Sequence, residues 1–168
     1  MITALDKLIA RASSVMTKPD KDMRRAIATA HSAATYAAIK ERTGIMPKGL
    51  SRAERNDLKA RVAEQLKYYD AFAAQAGDMS DAAIAARAGM YAGAIRQTFY
   101  EARWGTWDIP DNLMPGNQTC LTNCLCTISI TDNGDGTGVL KREMGGTEHH
   151  CDECPALVGD HEIQRRAA

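Results

Sequence analysis

Between Leu58 and Ala102 the apolar residues recur at steps of three and four, the spacing that gathers side chains on one face of an α-helix. Leu58, Val62, Leu66, Tyr69 and Ala73 form one stripe, and Ile84, Ala88, Tyr91, Ile95, Thr98 or Phe99, and Ala102 form the next. Two such stripes joined by a short glycine-containing turn predict an antiparallel helical hairpin, with the small residues Ala88, Gly89, Ala92 and Gly93 expected to let helices approach closely. An alanine-rich face buries little apolar area per residue, so a neighbouring copy of the chain is a second candidate to cover it.

Punctuation agrees with the period. Asp20 is placed to cap a helix running to about Arg42, with Thr43-Gly44 as its stop. Ser51 and Glu54 have the S-x-x-E spacing of a capping box, opening a helix to Ala76 with Gly77 as terminator. Ser80 is placed to cap a last helix through about Trp104, ended by Gly105. The first sixteen residues, interrupted by Asp6 and Lys7, read as a further helix and not as a signal peptide.

At Gly105 the helical period stops. "GTWDIPDNLMPGNQT" holds two prolines and two glycines, and reads as a linker or extended arm that Trp104 and Trp107 anchor on the helices. "CTISIT" then alternates like a strand, "DNGDGTG" supplies residues that accept positive φ, and "VLKRE" returns as a second strand. The acidic turn lacks the ligand offsets and the closing glutamate of a calcium loop. The expected fold is mainly α: an alanine-rich helical bundle or hairpin over 1–104, a linker over 105–119, and a cysteine-rich β-hairpin module with a polar tail over 120–168.

Composition adds bounds. A chain of 168 residues that is 45% hydrophobic and 25% charged is ordinary soluble material, and no apolar run is long enough to span a bilayer. With no signal peptide, the expected compartment is intracellular, where thiols stay reduced. The net charge of zero hides an asymmetry, because through Arg61 there are 13 Lys and Arg against 6 Asp and Glu. Solvated helix faces account for such a bias, and so does an acidic protein or nucleic acid partner.

The candidate chemistry lies in the cysteines. "CLTNCLC" at Cys120–Cys126 and "HHCDEC" at His149–Cys154 flank the two strands, so a hairpin brings them together. Four soft ligands held tetrahedrally suit Zn2+, and two thiol groups across a hairpin follow the plan of zinc ribbons. The expected metal ligands are Cys124, Cys126, Cys151 and Cys154, with Cys120, His149 and His150 as alternates or outer donors. Reduced, unligated thiols are the plainer reading of the same residues.

Catalytic patterns are missing. The chain has no H-x-E partner to a P-C-x-x-C, no H-E-x-x-H, no P-loop and no G-x-S-x-G. His31 reads as a histidine satisfied within its helix packing, and His161 lies in the polar tail without a visible partner.

Three segments resemble the C-terminal region of minor head, or head morphogenesis, proteins of tailed bacteriophages, the Mu F-like group. "NCLC" at Asn123–Cys126 is similar to their N-C-R-C element, with Leu125 in place of arginine. "HCDECPALVG" at His150–Gly159 is similar to their C-P-x-C-x-x-L-x-G element, with Asp152 at the proline position and the two elements in reversed order. "WDIPDNLMPGNQTCLTNC" resembles a lead-in found in some phage head proteins. The resemblance covers about the last third of the chain. It implies a noncatalytic virion protein of the head, assembled in the host cytoplasm, in multiple copies or as a homo-oligomer. Capsid, portal or connector proteins would be its partners, with weak contact to packaged DNA and none to a membrane. The alternative expectation is a zinc-ribbon nucleic-acid-binding module that uses the basic N-terminal helices.

Overall fold

Capping chemistry sets where the helices begin. The computed structural model describes residues 4–115, 117, 126–145 and 151–167, and they fall into two units, Met1–Arg103 and Trp104–Ala168.

The first unit holds α1 (Ala4–Val15), α2 (Lys21–Thr43), α3 (Arg52–Gln75) and all but the last residue of α4 (Asp81–Trp104). Asp20 accepts hydrogen bonds from the backbone N–H groups of Asp22 and Met23, filling two donors that α2 leaves open. At the other end Gly44 adopts φ 73°, and its N–H donates to the Lys40 carbonyl. Ser51 and Glu54 form the reciprocal capping box on α3, and Ser80 accepts from the Ala83 N–H ahead of α4.

Gly77 departs from its expected role. α3 stops at Gln75 and continues as a 3-10 turn, Ala76–Asp78, closed by the Met79 N–H on the Ala76 carbonyl at 3.2 Å. The tightened turn satisfies the last carbonyls without a left-handed residue.

Buried positions on α2 follow one face: Met23, Ile27, Ala30, His31, Ala34, Thr35, Ala38 and Ile39. On α3 the expected stripe from Leu58 to Ala73 does turn inward, but it is mostly half-buried, and the fully enclosed residue is Phe72. Phe72 stacks on Tyr91 of α4 with centroids 6.1 Å apart, and Tyr69 meets the same ring edge-on. Enclosing such a ring is worth about 2 kcal/mol over leaving it in water, so this aromatic trio carries much of the α3–α4 contact. Gly89 is exposed, and a Cβ there would meet nothing within 4 Å, so close helix approach does not run through it.

The second unit is a four-stranded antiparallel sheet with strand order β1-β4-β3-β2. Its strands are β1 (Trp107–Asp108), β2 (Thr127–Asp132), β3 (Thr137–Glu143) and β4 (Gly159–Arg165). The expected β2–β3 hairpin is therefore the edge of a larger sheet. Part of the stretch expected as a linker supplies β1 and a 3-10 turn, Asp111–Leu113, and part of the expected tail supplies β4. Trp107 lies inside this unit: Arg165 stacks over its ring at 4.7 Å, and a Cβ on Gly138 would come within 2.8 Å of it.

The hairpin turn is built as its residues suggest. Gly134 and Gly136 take φ of 85° and 90°, Asp132 accepts from the Gly134 N–H, and Asp135 accepts from Thr137. Those hydrogen bonds hold both carboxyls below the ordinary aspartate range, with Arg165 adding to the effect on Asp132. Ile128, Leu140 and Ile163, one from each long strand, form the small apolar face together with Trp107, Ile109 and Leu113.

Candidate metal centre

The register Thr127↔Glu143 aligns the start of β2 with the end of β3. Cys126 immediately precedes β2, and the chain leaving β3 returns as the Cys151–Cys154 turn, closed by the Cys154 N–H on the Cys151 carbonyl at 3.1 Å. A 3-10 turn, Pro155–Leu157, follows and leads into β4. Two sequence-distant segments thus deliver thiols to one corner of the sheet.

There the Cys126 and Cys154 sulfurs lie 3.5 Å apart, and the Cys151 and Cys154 sulfurs 3.2 Å apart. Cys126 and Cys154 are each 1% exposed, whereas Cys151 is half-buried and packs against the pair. A disulfide would need about 2.05 Å, so these are neighbouring sulfurs and not bonded ones. Four sulfurs at about 2.3 Å from a tetrahedral zinc stand about 3.8 Å from each other, a few tenths of an ångström wider than the spacing seen.

Of the expected ligands, Cys126, Cys151 and Cys154 are brought together. Cys124 and the alternates Cys120, His149 and His150 lie outside the described residues. Among the described residues no group of three or more His, Cys, Asp or Glu side chains is arranged to hold an ion by itself.

Arg142 is the participant that cysteine spacing could not reveal. It sits on β3 opposite Ile128 and Gly159, fully buried at 0% exposure. Its Nη1 donates to the carbonyls of Asn112 and Leu113 at 3.2 and 2.7 Å, and its Nη2 to the Cys154 sulfur at 3.7 Å. A buried cation beside a thiol favours the thiolate, the form that binds a metal. The signal was present in the alternation, because Arg142 is in phase with the inward Gly138 and Leu140.

Neither described histidine joins this corner. His31 is 1% exposed in the helical unit, its Nδ1 2.8 Å from Thr98 Oγ1. Its pKa is pushed down to about 4, first by burial and then by the Arg61 charge. His161 Nε2 lies 3.0 Å from the Leu157 carbonyl, tying β4 to the turn before it.

No protein-family model, no curated protein and no solved structure matches the chain. Among the described residues no helix is long and apolar enough to cross a membrane.

Proposed function

We propose that the chain is a noncatalytic structural component of a bacteriophage head whose C-terminal unit is stapled by zinc. The observation that carries the metal reading is the convergence of Cys126, Cys151 and Cys154 beside the buried guanidinium of Arg142. A tetrathiolate zinc site bears net negative charge, and Arg142 is positioned to offset it. Cys124 completes the proposed set, with Cys120, His149 and His150 as alternates. A sheet unit from Trp104 to Ala168 has a small apolar core, so metal binding would add directly to its folding free energy.

The virion assignment rests on the likeness of "NCLC" and "HCDECPALVG" to elements of Mu F-like minor head proteins. Capsid, portal or connector proteins are the proposed partners. Elemental analysis of the purified protein tests the metal, with about one zinc per chain expected. No transition metal, with all thiols freely titratable in the native state, refutes it. The genes beside this one test the head assignment, which requires portal and major capsid proteins among their products.

The nucleic-acid alternative draws on the basic N-terminal region. Part of that charge is already spent within the helical unit, where Arg24 pairs with Asp70, Arg42 with Glu54, and Arg61 with Glu101. A gel-shift signal at low salt that falls steeply as salt rises would favour this alternative.

A further inference from the structure

Helices α1 and α2 leave an open groove of about 490 Å³ between them. On α1 it is lined by Leu8, Ala12 and Val15, and on α2 by Ala26, Ala30 and Ala33, each set at helical spacing. The lined stretch of α2, from Asp22 to Ala33, is about 16 Å long at 1.5 Å per residue, or three helical turns. Its alanine floor would let another helix axis come in at the short end of the usual 8–10 Å packing distance. Val15, at the rim, is 46% exposed.

Charge on the rim narrows the occupant. Arg11 and Arg25 line the groove, and neither has a hydrogen-bond or ion-pair partner for its guanidinium among the described residues. Several other arginines of the unit are ion-paired, Arg24 with Asp70, Arg96 with Asp6 and Arg103 with Glu41. Asp22 also lines the groove, but it makes no ion pair with Arg25 and sits in the first turn of α2, where the helix dipole favours a carboxylate. Two partnerless guanidinium groups beside an apolar trough call for carboxylates beside an apolar stripe. Each of the four helices of this chain carries net positive charge, so a helix of a second copy is the wrong complement.

We propose that the α1–α2 groove is a docking site for an acidic amphipathic helix of a partner protein. The partner's leucine-sized side chains enter the alanine-floored trough, and its glutamates or aspartates meet Arg11 and Arg25.

The test uses the full chain and a fluorescent designed peptide of about 18 residues, with leucines at helical spacing flanked by glutamates, and a second peptide with every glutamate replaced by lysine. The glutamate peptide should raise the fluorescence anisotropy on binding, and the lysine peptide should not. Arg11→Glu with Arg25→Glu should weaken binding at least about tenfold, the scale set by losing two partly desolvated ion pairs. Thr29→Trp should block binding by filling the trough. All three positions are exposed, so both variants should keep the wild-type helical circular dichroism. Failure of the glutamate peptide to bind overturns the proposal, as does equal binding of the lysine peptide or unchanged binding by either variant. Displacement of the peptide by stoichiometric duplex DNA overturns it in favour of a phosphate backbone.

Discussion

His31 on α2 and Thr98 on α4 meet inside the helical unit, Nδ1 to Oγ1 at 2.8 Å, across 67 residues of sequence. Nε2 of the same imidazole is buried with no hydrogen-bond partner among the described residues, and Arg61 of α3 adds a cation nearby. The pocket therefore favours the neutral ring and penalises the charged one.

A pH dependence follows with a defined sign. The folded pKa of about 4 lies below the value of 6.5 for a free histidine, so the unfolded chain binds the proton more readily between those values. Stability contributed by neutral His31 is complete above pH 6.5 and is lost as pH falls toward 4, by about 3 kcal/mol in all. Urea unfolding followed by helical circular dichroism at pH 7.5 and 5 should show the loss. Glu54, held below the ordinary range by the Ser51 N–H and hydroxyl and by Arg42 despite partial burial, loses its share only at lower pH. His31→Leu should therefore flatten the slope above pH 5 whatever it does to stability at neutrality. An unchanged slope would remove His31 from the explanation.

In the second unit, Gly138 sits where a side chain has no room. A Cβ there would stand 2.8 Å from two ring carbons of Trp107 and 2.9 Å from the Thr131 carbonyl oxygen. The Trp107 ring has little room to retreat, because Arg165 stacks on its face and is itself ion-paired to Asp132. Gly138→Ala should destabilise the sheet by about 2 kcal/mol through overpacking. Both tryptophans of the chain lie in this unit, so their fluorescence in a denaturant titration reads the effect there. Gly136→Ala, at a turn glycine with φ 90°, should cost less, about 1 kcal/mol, because it strains one backbone torsion without displacing a ring.

The helical half was legible because its signals are local. Asp20, Gly44, Ser51 and Ser80 act within a few residues of their own positions, and the three-four stripes need only the neighbouring turn to be read. Phe72 stood outside the stripe because the α3 face that α4 covers is wider than a single row of steps. The sheet was half legible. β2 and β3 alternate and share a glycine-rich turn, whereas β4 buries a single apolar side chain, Ile163, within seven residues, and β1 is two residues long. Pairing from partner strands, and not side-chain pattern, makes those two extended. At the cysteine corner, spacing across a hairpin was enough to expect Cys126 near Cys151 and Cys154; alternation puts Arg142 on the inward phase of β3, but its acceptors, Asn112, Leu113 and Cys154, come from segments that only the assembled sheet brings to it.

Arg142 should therefore be sensitive to conservative change. Its guanidinium serves two carbonyls, those of Asn112 and Leu113, and also the Cys154 sulfur, from a fully buried position. A lysine ammonium is a single point and lacks the planar fork that reaches acceptors on both sides. Arg142→Lys should lower the stability of the second unit by about 2 kcal/mol, because at least one buried acceptor loses its donor. Tryptophan fluorescence in denaturant again reads it, with the helical circular dichroism transition as the internal control. Equal stability of the two proteins would mean that the guanidinium contacts are not what holds this residue inside.

The cysteine substitutions separate a metal site from a cluster of buried thiols. Cys154 touches both other described sulfurs, and under the zinc proposal it is a central ligand with Cys124, Cys126 and Cys151. Cys154→Ser and Cys124→Ser should each take the protein from about one zinc per chain to nearly none, while Cys120→Ser should leave the metal in place. Chelation of the wild type should lower the midpoint of the tryptophan-reported transition, and chelation of the Cys154→Ser variant should not. If the thiols are only buried, chelator moves neither midpoint, and Cys154→Ser acts as a mild loss of packing at a site 1% exposed. If Cys120→Ser rather than Cys124→Ser strips the metal, the zinc module stands and the ligand set changes by that one exchange.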